Sequence, residues 1–184
     1  MDQPDSQQDK RRRLADAGIV PPANLIFAAV DFEAESLIDE LARTGVDVSA
    51  PTFFSWLGVS MYLTRDAVDA VFRTVARFPS SSELVFTFAQ PRPPGSPTTP
   101  SIVDRAAAVG EPWLTFFDPD ELPRILREDG FSSVRFLTRE EAEQRYFTGR
   151  SDALRTPRRV SIDRNQGRGS TMSKKKLVKE LARH

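Results

Sequence analysis

Chemistry in this chain has to be sought among carboxylates and aromatics, because other reactive side chains are scarce. Cysteine is absent, and the one histidine is His184. That argues against a disulfide framework, a thiolate zinc site, a cysteine nucleophile and an internal histidine base or metal ligand. Two aspartates stand out by position. Asp31 closes the apolar run from Leu25 to Val30, and Asp2 heads the string Asp2-Gln3-Pro4. An apolar run without polar alternation reads as a strand buried on both faces of a parallel sheet. In such sheets ligands bind outside the carboxyl ends of the strands. Asp31 lies at such an end, and Asp2 does too if a strand precedes it. The competing role for Asp31 is a helix N-cap or first-turn acid, stabilised by free amides and the helix dipole. Arg150 could grip a ligand carboxylate, or pair internally with Asp152 or Glu143. Trp113, Phe116 and Phe117 could line an acceptor pocket, although ordinary packing suits their spacing better.

The elements that would position these residues alternate in type. Residues 5–17 are a polar, helix-compatible stretch ended by Gly18, and Pro21-Pro22 marks a connection. After the strand at 25–30, Ser36 opens a helix with Leu37, Ile38, Leu41 and Ala42 on one face, and Gly45 closes it. Residues 52–56 form a second strand. Thr64 caps a helix with the buried stripe Val68, Val71, Phe72 and Val75, and residues 84–88 form a third strand. The proline-rich segment 90–99 reads as a loop, followed by a short helix at 102–109. Asp118, Pro119 and Glu121 predict a helix start with a capping box, although Pro123 removes a donor in the second turn. Residues 134–137 read as a strand, Thr138 and Glu141 as a further capping box before a helix reaching Tyr146, and residues 160–162 as a last strand.

Strand, helix and strand joined by short connections is the pattern of βαβ crossovers and a parallel sheet. With 39% hydrophobic and 28% charged residues and a formal net charge of zero, the chain reads as a soluble globular protein with no global attraction to nucleic acid or membranes. No signal-like segment opens it and no run approaches the ~20 apolar residues of a membrane helix, so the cytoplasm is the expected location. Residues 164–184, with Lys174-Lys175-Lys176, Lys179 and Arg183, read as a basic, disordered tail rather than a nucleic-acid site. Arg11-Arg12-Arg13 reads as a solvated helix face.

Several strings, in order and at fitting intervals over residues 1–157, resemble the leucine carboxyl methyltransferase-like family of S-adenosyl-L-methionine-dependent enzymes, particularly its bacterial small-molecule branch. They are Asp2-Gln3-Pro4 with Lys10-Arg11, Val30-Asp31-Phe32-Glu33, and Pro51 to Trp56 with Gly58 to Leu63. Gly110 to Trp113 with Phe117-Asp118-Pro119 and Arg145 to Phe147 with Gly149 to Asp152 complete the series.

The resemblance implies an α/β, Rossmann-like class I methyltransferase fold with a mostly parallel sheet over residues 1–163. S-adenosyl-L-methionine is the implied cofactor, with no metal. Asp2 would hold its ribose, since carboxylate oxygens accept both hydroxyl protons, while Asp31 would accept from the adenine amino group and Phe32 would border the ring. Two departures matter. Leu57 stands where this branch has Glu. Met1 falls within a motif, so the family's first strand and glycine-rich turn are missing, and the truncated chain is expected to bind the cofactor weakly and not to turn over. The implied reaction moves a methyl group to an oxygen, carboxylate or hydroxyl, of a small-molecule acceptor, with no identifiable catalytic base. Two alternatives stand: a non-catalytic remnant or interaction module with a partial sheet, and a nicotinamide-dependent Rossmann enzyme, against which the strings after Asp31 argue.

Overall fold

Pro4 occupies the first turn of helix α1 (Pro4–Asp16), where its missing amide costs nothing. The computed structural model describes residues 1–92, 101–152 and 154–155. They fall into two units, Met1–Ser49 and Ala50–His184.

In the first unit α1 has no apolar face: its one buried residue is Gln7. Its outer side carries exposed ion pairs, Arg13 with Asp9 at 2.6 Å and Arg12 with Asp16 at 3.2 Å. Such solvent-exposed pairs add little to stability. Helix α2 (Leu37–Arg43) follows, with the Ser36 hydroxyl accepting from the Asp39 amide as the sequence predicts. Between the helices, residues 25–30 depart from expectation. Leu25 and Ile26 are exposed, and the segment makes one parallel bridge, Asp2 with Ala29, instead of a full strand. The cause is local. Leu25 is drawn into a turn by donating to the Pro22 carbonyl, and the carbonyls of Phe27 and Ala28 accept from the Arg11 and Gln7 side chains. Arg11 also stacks its guanidinium 4.7 Å from the Phe27 ring centre, so it is not simply a solvated charge.

The second unit holds a βαβ arrangement. Strands β1 (Phe53–Trp56) and β2 (Glu83–Phe86) pair in parallel, with Phe54 opposite Leu84 and Trp56 opposite Phe86. Helix α3 (Arg65–Ala76) connects them, as the twelve or more residues of a parallel crossover require. Its stripe Val68, Val71, Phe72 and Val75 is buried, and Thr64 caps it. Phe72 is the hub of the core: its ring lies 4.9 Å from Phe86 and about 6 Å from Trp56, Phe117 and Phe131. Sheet content among the described residues is smaller than the sequence suggests. β1 leaves Phe53 and Ser55 exposed, and after β2 the described residues show isolated bridges instead of strands, one of them parallel between Ala89 and Phe116. A small parallel sheet flanked by helices is what the fold shows.

Helix α4 (Ile102–Ala108) carries a complete capping box between Ser101 and Asp104. The amide and hydroxyl of Ser101, with Arg92, hold the Asp104 carboxyl down at about 2. Helix α5 (Leu122–Glu128) starts later than the sequence predicts. Asp118 heads a preceding turn, accepting from the Asp120 amide through its carboxylate and from Glu121 and Leu122 through its carbonyl. That shift puts Pro123 in the first turn of the helix, where no donor is needed, and removes the conflict in the sequence. α5 ends at Gly130, whose φ of 100° lets Phe131 donate back to Leu126. The Thr138–Glu141 capping box forms as expected and opens α6 (Arg139–Ala142), which widens into a π-helical turn over Glu143–Phe147. In residues 134–137 only Arg135 is in a bridge, with Val134 and Phe136 buried on either side. The expected strand at 160–162, the tail from 164 and most of the loop at 90–99 lie outside the described residues. No helix among the described residues is long and apolar enough to cross a membrane.

Candidate functional site

The first unit brings the two sequence-selected aspartates into one hydrogen-bond network. The parallel bridge sets Asp2 beside residues 28–30: the Asp2 amide donates to the Ala28 carbonyl at 3.3 Å, and the Val30 amide to the Asp2 carbonyl at 2.9 Å. Asp31 therefore follows directly on the segment that pairs with Asp2. Gln3 spans them. Its backbone amide donates to Asp2 Oδ1 at 3.1 Å, and its side-chain Nε2 donates to Asp31 Oδ1 at 3.1 Å. Lys10, on the second turn of α1, donates to Asp2 Oδ2 at 2.9 Å.

Asp31 also organises its own turn. Its Oδ1 accepts from the Glu33 amide at 3.0 Å, its carbonyl accepts from Ala34 and Glu35, and its amide donates to Glu35 Oε2 at 2.7 Å. The helix cap is Ser36, so Asp31 heads a turn rather than capping α2. Two donors converge on Asp31 Oδ1, while Oδ2 receives none among the described residues. Phe32, next in the chain, is half-buried, as are Asp2 and Asp31. A pair of half-buried carboxylates with unused lone pairs is a donor-seeking surface, suited to hydroxyl and amino protons.

From the sequence no site role falls to Gln3, Gln7, Lys10 or Arg11, though their spacing carries a signal. At i, i+4, i+7 and i+8 they share one face of a helix, and each reaches the 27–31 segment or Asp2. A polar stripe at that spacing marks a helix packed against backbone and carboxylates instead of a hydrophobic core.

In the second unit the chain leaving β1 is fixed by a buried polar pair. The Gly58 amide donates to Thr87 Oγ1, and the Ser60 hydroxyl donates to the Thr87 carbonyl, both at 2.6 Å. Leu57 is exposed there, a side chain with no polar group to offer. Residues 113–117 are tied to the following turn: Leu114 donates to the Met61 carbonyl at 2.7 Å, and the Thr115 hydroxyl to the Leu63 carbonyl at 2.6 Å. Trp113 meets Tyr62 edge-on, with ring centres 6.4 Å apart, and lies at the same distance from Phe116. Phe117 is wholly buried against Phe72 and Phe88, so it belongs to the core. Arg150 pairs with Asp152, Nε to Oδ1 at 2.9 Å, which is the internal partner the sequence offered.

Comparison with known proteins gives this geometry a context. Residues 1–76 match the family model described as leucine carboxyl methyltransferase. The chain is similar to YktD of Bacillus subtilis (strain 168), which is named as a candidate S-adenosyl-L-methionine-dependent methyltransferase. The two are 31% identical over 159 residues, 84% of this chain and 52% of the relative. A protein of Frankia alni with the same description is 34% identical over 123 residues, 65% of this chain and 39% of the relative. The chain thus spans about half the length, or less, of the curated relatives it matches. No solved structure matches it significantly.

Proposed function

Because this chain belongs to the leucine carboxyl methyltransferase-like family, we propose that it is a methyltransferase domain whose Met1–Ser49 unit binds the nucleoside half of S-adenosyl-L-methionine. The observation that carries this reading is the network in which Gln3 joins Asp2 and Asp31. Both carboxylates keep acceptor capacity, and a nucleoside presents hydroxyl and amino donors to match it. Asp2 takes the ribose hydroxyls, Asp31 takes the adenine amino group, and Phe32 borders the ring. Bound there, the cofactor supplies a sulfonium methyl group for transfer.

The chain's own contribution is then alignment. A displacement of this kind gains most from holding the reactants in line, a term of up to ~7–11 kcal/mol. We assign the reaction to the oxygen of a small molecule, carboxylate or hydroxyl, since an ionised carboxylate needs no base. The βαβ arrangement of β1, α3 and β2 supports a Rossmann-like class I fold.

Ligand-observed NMR with S-adenosylhomocysteine tests the assignment, because saturation transfer reports even millimolar binding. Transfer is expected, strongest at the adenine and ribose protons, and it should weaken in Asp2→Asn and Asp31→Asn variants. Absence of transfer at millimolar ligand, or transfer unchanged by both substitutions, would remove the cofactor reading.

A further inference from the structure

We infer that Gln3 sets the selectivity of the nucleoside site for adenine, acting as a positioning residue through Asp31; this rests on the cofactor reading above. A carboxylate selects adenine only if one oxygen is aimed at the exocyclic amino group. A freely rotating carboxylate can turn away from hypoxanthine, whose oxo group would otherwise face it, and so loses the repulsion that rejects that base.

Asp31 is held against such rotation. Its Oδ1 is engaged from two directions, by Gln3 Nε2 at 3.1 Å and by the Glu33 amide at 3.0 Å. The Glu33 contact comes from the same turn and moves with it. The Gln3 contact crosses 28 residues of sequence and comes from an element fixed independently, by the backbone bridge of Asp2 to residues 28–30. Gln3 therefore fixes which oxygen is spent on the protein and which is offered outward. The alternative positioning group, Lys10, forms an ion pair with Asp2 and with no other carboxylate among the described residues, so it acts on the ribose side and leaves base selection alone.

The test compares affinities for S-adenosylhomocysteine and S-inosylhomocysteine, measured by ligand-observed NMR titration on the full chain. The wild-type protein should prefer the adenine ligand by at least about tenfold, the scale of one hydrogen bond to a charged group. Asp31→Asn should abolish that preference, because its amide can turn to donate to the oxo group. Gln3→Ala should cut the ratio by about three- to tenfold, and Gln3→Glu should not restore it, since it replaces a donor by a second carboxylate. Lys10→Met should weaken both ligands equally and keep the ratio. If Asp31→Asn erases the preference while Gln3→Ala preserves it, the positioning role of Gln3 is wrong and the cofactor reading survives. If the wild-type protein binds neither ligand, the cofactor reading itself fails and the inference falls with it. If it binds both without preference, the inference fails together with the adenine role of Asp31, while cofactor binding stands. Thermal melts of each variant separate loss of selectivity from loss of fold.

Discussion

The two units of this protein are stabilised by opposite means. In Ala50–His184 the described core is largely aromatic: Phe72, Phe78, Phe86, Phe88, Phe117 and Phe131 are all essentially without exposure. In Met1–Ser49 the buried apolar side chains are Ala28, Val30 and Leu41, and helix α1 contributes a buried glutamine. Hydrophobic burial stabilises without direction, whereas side-chain hydrogen bonds add about 1 kcal/mol each and fix geometry. The unit that carries the candidate ligand groups is therefore oriented rather than merely packed. The unit with the aromatic core holds most of the buried apolar side chains.

The sharpest way to break this contrast is to attack the hub. Phe72→Ala should cost about 3–5 kcal/mol, the range for deleting a buried aromatic with little room for collapse, and denaturant titration would measure it. A loss under 1 kcal/mol would show that the rings around Phe72 rearrange and that the core is not where the stability lies. Next in size is an effect on ligand and not on fold. Asp31→Ala should weaken S-adenosylhomocysteine binding by about 1–3 kcal/mol with little change in unfolding. If the unfolding transition moves more than the affinity does, Asp31 is a turn-forming residue only. Third, Gln7→Ala probes the polar face of α1. The Ala28 carbonyl keeps its bond from the Asp2 amide, so the loss should be near ~1 kcal/mol. A cost of the same size as that of Phe72→Ala would mean that the first unit depends on this one contact.

Much of the second unit was legible in the sequence because its signals are local. Thr64 with the Val68–Val75 stripe and the Thr138–Glu141 box each encode a helix start within a few residues, and the structure has them; Ser36 does the same in the first unit. Asp118 misled for a physical reason: Asp-Pro preceding an acid three residues on also describes a turn, and only the demand of Pro123 for a first-turn position separates the two. The 25–30 segment misled for another. Its composition is that of a buried strand, but its carbonyls are met by Gln7 and Arg11 from a helix, a pairing no local pattern reveals. In the site, Asp2, Asp31 and Phe32 were reached through resemblance and strand-end position, and the structure sets Asp2 and Asp31 within reach of Gln3. The bridging role of Gln3 was invisible because its partner is 28 residues away.

The smallest effect we predict lies at the end of α5, in the unit that does not carry the candidate ligand groups, and it bears on whether that unit is tuned by charge as well as by packing. Asp129 is half-buried at the C-terminal cap of that helix, where a negative charge faces the negative end of the dipole. Burial, then neighbouring Asp69 and Glu128, push its carboxyl above the ordinary range, against the pull of Arg73 and Arg65. The sign follows from linkage. From the ordinary value near ~3.9 up to the raised one, the folded state binds more protons than the unfolded state, so stability falls as pH rises through that window. Above it the ionised group imposes a constant cost. Asp129→Asn removes that cost and should raise the melting temperature by about 1–2 °C at pH 7, with the gain shrinking towards zero as pH drops below about 4. Thermal melts of both proteins across pH 3–8 would follow this. A variant that melts lower at pH 7, with the deficit vanishing in acid, would mean that the two arginines outweigh burial, and that Asp129 helps to hold the second unit together.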